Sequence, residues 1–166
     1  MRLRQSERGF GIGATLVTDV LRSRRERDQR WADTKRVIYV RFLTSLAQAH
    51  SRMTVVAFRE EPGPLRAQAV HHEFLSDPQH SDVRSVLREL AIAAPDHVYR
   101  AALSVHEQLR ALRDLLASHP VGPESPEYQQ LSWPFVRGFG GPAQLMRDDL
   151  RPPVSSRVRM LRSGSQ

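Results

Sequence analysis

The chain has 166 residues, no cysteine and a net charge of +7. This length favours one domain that is large enough to bury a core. The lack of cysteine excludes disulfides, cysteine-based zinc sites and thiol catalysis. Residues 1–36 carry a net charge of +5 and residues 151–166 carry +4, whereas residues 37–150 carry −2. We therefore expect an apolar and basic N-terminal segment at 1–21, a helical bundle domain at 22–150 and a disordered basic tail at 151–166.

Residues 9–21 form a short apolar segment that Asp19 interrupts. The segment is too short to span a bilayer, which takes about 20 apolar residues. Two interpretations stay open: a frayed helix that packs on the bundle or on a partner, or an interfacial anchor. The anchor interpretation draws on the arginines that follow, because clustered arginines suit an anionic membrane surface. These candidate contacts for an anionic surface are Arg22, Arg24, Arg25, Arg27 and Arg30.

The stretch from Trp31 to Phe58 contains no proline or glycine, and its apolar residues recur at helical spacing. It predicts a long first helix over about 22–59, which must end before the prolines and glycine at 62–64. The predicted buried face contains Trp31, Ile38, Phe42, Leu46, Ala49, Met53 and Val56. The opposite face is expected to carry Lys35, Arg36, Arg41, Gln48 and Arg52.

The rest of the domain alternates periodic segments with proline-containing breaks. It predicts main helices at 82–94 and 97–118 and short accessory helices at 65–75 and 143–150, with a further short piece at 127–133. The fold class is therefore all-α, an antiparallel bundle of three main helices with a long first helix. The helix at 97–118 has the a/d spacing of a coiled coil or a bundle helix. This candidate helix interface consists of Val98, Ala102, Val105, Leu109, Leu112 and Leu116.

Four aromatic residues and two adjacent carboxylates stand near the end of the domain. The aromatics are expected to close one end of the bundle. Asp148 and Asp149 cannot form an acid–base pair by themselves, since neighbouring helical residues face different directions, and they are expected to be surface charges. The aromatic residues are Tyr128, Trp133, Phe135 and Phe139.

No pattern in the chain predicts catalysis, a metal or a cofactor. His71, His72, Glu73, Asp77 and His80 lie close in sequence but lack the helical spacing that places two metal ligands on one face. The glycines at 9, 11 and 13 follow only eight residues, too few for the strand that precedes a dinucleotide-binding loop. We therefore expect a non-enzymatic protein without a cofactor.

The order of features resembles a group of uncharacterised helical proteins from high-GC actinobacteria. The resemblance rests on Trp31 followed by Arg36, Tyr39, Phe42 and Leu43, on a helix like 83–94, on a corner like Pro95 and on an ending like that of residues 147–150. It covers about residues 9–150 and implies an all-helical fold, but it implies no particular activity, so no catalytic residue is carried over.

These observations predict a helical interaction or structural protein that binds a partner or a second copy through its long first helix. The expected location is the cytoplasm, with peripheral contact to the inner membrane face as an extension of that expectation. The alternative is a binder of nucleic acid or another anionic surface through the basic terminal arms. Nucleic acid is the less favoured ligand, because acidic residues alternate with the arginines of the first helix.

Overall fold

The computed structural model describes residues 11–75 and 83–151, with side chains from Arg22 onward, and this part of the chain consists of six helices without a strand. The all-α prediction is confirmed. The start of the N-terminal segment, residues 76–82 with Asp77 and His80, and the basic tail beyond residue 151 lie outside the described residues. The helices are α1 Gly11–Arg59, α2 Pro64–Leu75, α3 Val83–Ala93, α4 Asp96–Ser118, α5 Pro126–Val136 and α6 Gly140–Asp149.

Helices α1 and α5 run antiparallel, as two ring contacts demonstrate. His50 stacks on Phe135 with ring centroids 5.1 Å apart, and Phe58 meets Tyr128 edge-on at 5.2 Å. Residue numbers therefore decrease along α5 in the direction in which they increase along α1. Helix α2 also folds back on α1, because residues 60–63 form a short turn between the two helices.

The core forms where the buried face of α1 meets α2, α3 and α4. The predicted core face of α1 is buried from Ile38 to Met53, Val56 is partly buried, and Phe42 and Leu46 are fully inaccessible. Burying such side chains supplies the main stabilising term of a bundle, roughly 1.5–3 kcal/mol for each large one. The prediction of a core face is wrong for Trp31, which is 50% exposed because it lies on the part of α1 that precedes the bundle. The candidate helix interface on α4 lies in this core, so a partner cannot reach it while the bundle is closed; its residues are Val98, Ala102, Val105, Leu109, Leu112 and Leu116.

Helix α1 is longer than the sequence predicted, since it starts at Gly11 and has 49 residues. Its first buried side chain among those described is Ile38, and residues 22–31 are all exposed. At about 1.5 Å per residue, roughly 40 Å of helix precedes Ile38. We refer to residues 22–34 of this projecting part as the arm.

The turn between α5 and α6 explains why α6 begins three residues before the predicted position. Gly138, Phe139 and Gly140 adopt φ values of 72°, 63° and 39°, which reverse the chain and start the helix at Gly140. A left-handed conformation costs a non-glycine residue about 1–2 kcal/mol. Burial of the Phe139 ring, which meets Phe135 edge-on at 5.8 Å, offsets that cost.

The aromatic cluster closes this end of the bundle only in part. Tyr128, Phe135 and Phe139 are buried, but Trp133 is 57% exposed. Helix α5 also continues past Pro134 to Val136. Proline removes one helical hydrogen bond, and the carbonyl that loses it, on Gln130, belongs to an exposed residue that water can reach.

Candidate interaction surface on the first helix

The five arginines predicted to contact an anionic surface are all exposed on the arm. Arg22 Nε lies 3.1 Å from Glu26 Oε1, and Arg30 Nη2 lies 3.9 Å from Glu26 Oε2. Such pairs, four residues apart on a helix, stabilise it by about 0.2–0.5 kcal/mol each. The arm, residues 22–34, carries a net charge of +2. The arm is therefore a salt-bridged helix with a positive surplus.

The prediction that positive charges occupy the solvent face of the body of α1 is wrong. Arg41 makes two hydrogen bonds to Glu89 of α3, at 2.8 and 3.2 Å, and Arg52 Nε lies 3.5 Å from Glu73 of α2. Both arginines are about one-third exposed and lie along the edge where α1 meets α2 and α3. The helical period predicts both arginines on the side opposite the core. They lie at the flank instead because they pair with carboxylates of the neighbouring helices. The half-buried Gln48 lies on the same flank. Of the residues predicted for the face opposite the core, Arg36 is the exposed one.

The solvent face of α1 between Val37 and Phe58 carries no charge. Within residues 37–58 the only charged residues are Arg41 and Arg52, and both are paired at the flank. Val37 is 58% exposed and Val40 is 59% exposed. A surface helix ordinarily presents polar and charged residues to water on this side. We call this stripe the uncharged face; it consists of Val37, Val40, Thr44, Ala47, Ser51, Val55 and Phe58.

The opposite flank of the uncharged face is formed by α5. The Tyr128 ring lies against Phe58, and the hydroxyls of Thr54 and Tyr128 are 3.5 Å apart. The uncharged face therefore lies between α2 and α3 on one side and α5 on the other. The sequence prediction did not include the uncharged face, although the sequence contains a signal for it. Only two charges occur in the 22 residues 37–58, and small side chains recur at helical spacing on the side of α1 away from its core face.

Lys35 and Tyr39 join α1 to the end of α6 through Asp149. Lys35 Nζ lies 3.0 Å from Asp149 Oδ2, and the Tyr39 hydroxyl donates to the same oxygen at 2.6 Å. The Asp149 side chain is only 11% exposed, so the prediction that it is a surface charge is wrong; Asp148 remains exposed. Burial, followed by the hydrogen bond and the negative charge of Asp149, raises the pKa of Tyr39, so its hydroxyl stays a donor.

Two imidazoles place their Nε2 atoms inside the bundle. The Nε2 atoms of His50 and His106 are buried and have no hydrogen-bond partner among the described residues. Burial lowers the pKa of both histidines, and the positive charges of Arg110 and Arg84 lower that of His106 further. Both rings pack on aromatic neighbours, so they act as apolar groups of the core.

The histidines of α2 do not assemble a metal site in the part of the chain that the structure describes. His71 and His72 are exposed, and His72 Nδ1 lies 3.6 Å from Glu73. No three residues of the metal-ligating types His, Asp and Glu come together in residues 11–75 and 83–151.

A pocket of about 440 Å³ lies between α4, α5 and the start of α6. Trp133 stands at its edge, and the Arg137 guanidinium carbon is 4.3 Å from the centre of the indole ring. Of the residues that line the pocket, only Arg137 is charged, so they offer no carboxylate or imidazole for acid–base chemistry. The lining residues are Ala101, Ser104, Val105, Gln108, Trp133, Pro134, Arg137, Phe139, Gly140, Gly141 and Pro142.

No protein-family model, no curated protein and no solved structure matches this chain. In the described ranges, no helix has the length and apolarity that crossing a membrane requires. The arm and the uncharged face, which occupy successive parts of α1, are therefore the features on which a functional argument can rest.

Proposed function

We propose that this protein is a non-enzymatic helical interaction protein that presents the uncharged face of α1 to a helix of another protein chain. The observation that supports the proposal is an exposed stripe of valines and small residues on the longest helix, in a region without free charges. A helix that is apolar on both sides is ordinarily covered on both sides. One side of α1 is covered by its own bundle, and a partner helix would cover the other.

The side chains of the uncharged face suit close packing of two helices. Ala47 and Ser51 at its centre are small and exposed, so a second helix could approach without displacing long side chains. Val40 and Val55 would then lose water-exposed apolar surface, which contributes about 25 cal/mol per Å². The pocket beside Trp133 provides one charged group and no acid–base pair, so an enzymatic function has less support.

A photo-reactive residue at the uncharged face tests the proposal in cells that make the protein. Benzoylphenylalanine replaces Ala47 in one variant and Ala111, an exposed alanine of α4, in the matched control. We expect ultraviolet light to give a discrete covalent adduct from position 47 and none from position 111. Equal adduct formation at the two positions, or none at position 47, would contradict the proposal. The adduct mass separates a second copy from a different protein.

The alternative function is binding of an anionic surface by the arm, with peripheral attachment to the inner membrane face as one form of it. Its support is the cluster of five exposed arginines on the arm, which has a net charge of +2 over residues 22–34. Each basic side chain near an anionic bilayer contributes about 1 kcal/mol at most, and salt screens it.

Co-sedimentation with vesicles separates the alternative from the first proposal. If the arm binds, phosphatidylserine vesicles retain the full chain at low salt and release it at high salt. Replacing Arg24, Arg25 and Arg27 with glutamine abolishes this retention, whereas the substitution Ala47→Arg does not. Retention that neither salt nor these glutamines change would contradict binding by the arm.

A further inference from the structure

We infer that the occupant of the uncharged face is a second copy of this chain, bound antiparallel so that the two α1 helices pair about a two-fold axis between Thr44 and Ala47. The inference rests on the proposed function and names the partner. Closed two-fold dimers are the most common assembly of identical chains, and they require a surface that is complementary to itself. The uncharged face meets that requirement around this axis, because the branched Val40 and Thr44 lie on one side of it and the small Ala47 and Ser51 lie on the other.

Charge determines the direction of pairing. The arm, residues 22–34, carries five arginines and three carboxylates, a net charge of +2, so parallel pairing would place two positive arms side by side. Antiparallel pairing moves the arms to opposite ends of the dimer. Like charges brought together are destabilising, and their separation therefore favours the antiparallel form.

The heptad register indicates which residues meet. Val37, Val40, Thr44, Ala47 and Ser51 are spaced 3-4-3-4 along α1, and antiparallel helices pair an a position with a d position of the partner. Val40 then faces Ser51 of the second copy, and Thr44 faces its Ala47. Large side chains thus meet small ones in successive layers.

The same register brings opposite charges together at both ends of the pairing. It places Arg30 beside Glu61 of the second copy, and two-fold symmetry repeats the contact. Arg30 and Glu61 are exposed, and Glu61 lies just beyond the last residue of α1. The arm of one copy thus reaches the end of α1 of the other, where residues 59–61 hold Arg59, Glu60 and Glu61 and carry a net charge of −1.

The contact area predicts a weak dimer. Pairing from residue 30 to residue 61 spans about 48 Å, and a helix is about 10 Å wide. The buried surface is then roughly 1,000 Å² in total, near the lower limit for a specific interface. We therefore expect concentration-dependent association rather than an obligate dimer.

Disulfide trapping tests the register directly, because the chain has no cysteine of its own. The variants Val40→Cys and Ser51→Cys are oxidised separately and as a mixture in which one variant carries a tag. Antiparallel pairing predicts a disulfide between the two variants in the mixture and little product from either alone. In that register the two copies of residue 40 lie 11 residues apart along the axis, about 17 Å, and a disulfide needs Cα atoms within about 7 Å. The control mixes Ser51→Cys with Ala111→Cys and measures random collision.

The outcomes separate this inference from the proposed function. A disulfide between the two variants above the collision rate supports antiparallel pairing. Disulfides within each variant alone would overturn the antiparallel arrangement and would leave α1 as an interaction helix. If the single variants and their mixture all form disulfides only at the collision rate, the second copy is not the partner. In that case, a photo-adduct of a different protein at position 47 preserves the proposed function, and the lack of any adduct contradicts it too.

Discussion

Lys35 Nζ lies 3.0 Å from Asp149 Oδ2, and this ion pair fastens the end of α6 to α1 across 114 residues of sequence. Lys35 is the only lysine of the chain. Its side chain is 15% exposed and that of Asp149 is 11% exposed, so water screens the pair only in part. The Tyr39 hydroxyl donates a hydrogen bond to the same carboxylate oxygen and is the second contact of α1 with Asp149. The pair therefore sets where the bundle ends and the arm begins.

Replacing Asp149 with asparagine is expected to lower the free energy of unfolding by about 2–3 kcal/mol. The substitution leaves the partly buried Lys35 without its counter-ion and weakens the hydrogen bond from Tyr39. Urea denaturation measures the loss. The neighbouring exposed Asp148 provides the control: Asp148→Asn is expected to change stability by no more than about 0.5 kcal/mol. Equal losses from the two substitutions would contradict the role of the pair.

Stability is expected to fall as the pH decreases below about 6.5. Burial lowers the pKa of His50 and His106 in the folded chain below their ordinary value of 6.5. The unfolded chain therefore binds protons first, and each group takes away up to about 1.4 kcal/mol per pH unit between its unfolded and folded pKa. Above the unfolded pKa the contribution is fully retained. His106→Leu should flatten the dependence of the unfolding free energy on pH, and an unchanged slope would contradict the assignment.

Arg66 is expected to stabilise the junction of α2 and α4. The residue is 3% exposed, its Nε donates to the carbonyl of Leu116 at 2.9 Å, and its Nη2 donates to that of His119 at 3.0 Å. A cation at the C-terminal end of a helix also interacts favourably with the helix dipole. Arg66→Met should cost about 2–3 kcal/mol in urea denaturation, because two carbonyls lose their donor. Arg66→Lys should recover only part, since an ammonium lacks the two-pronged geometry. Full stability of Arg66→Met would refute this account.

The sequence predicts the helices well because their boundaries and periods are local properties. Proline and glycine end most of the helices near the observed residue, although α5 continues past Pro134 and α1 starts at Gly11. The core face of α4 and that of α1 from Ile38 onward follow from spacing, whereas Trp31 is exposed. The flanks and the solvent face depend on tertiary neighbours. The Arg41 side chain turns to the flank of α1 because it pairs with Glu89 of α3. Asp149 is buried because it pairs with Lys35, which lies on α1 more than one hundred residues earlier in the sequence. No periodicity within one helix contains that information.

Sedimentation velocity should detect weakening of the dimer when a charge enters the uncharged face. Ala47→Arg would place two guanidinium groups near the two-fold axis, so we expect the dissociation constant to rise at least about tenfold, or about 1.4 kcal/mol. Ala111→Arg, on α4, should leave association unchanged. Arginine is a good helix former, so both variants should keep the thermal stability of the parent chain. Equal association of the two variants would contradict pairing through this face.

The central claim, that the uncharged face of α1 is covered by another helix, is tested most directly by thiol labelling. The variants Ala47→Cys and Ala111→Cys react with a maleimide in intact cells and, separately, as dilute purified protein. The rate at position 47 is divided by the rate at position 111 under each condition. If a partner helix covers the face, this ratio is expected to be several-fold lower in cells than in dilute solution. The same rate ratio between the two positions in cells and in dilute solution would mean that nothing covers the face, and would contradict the account.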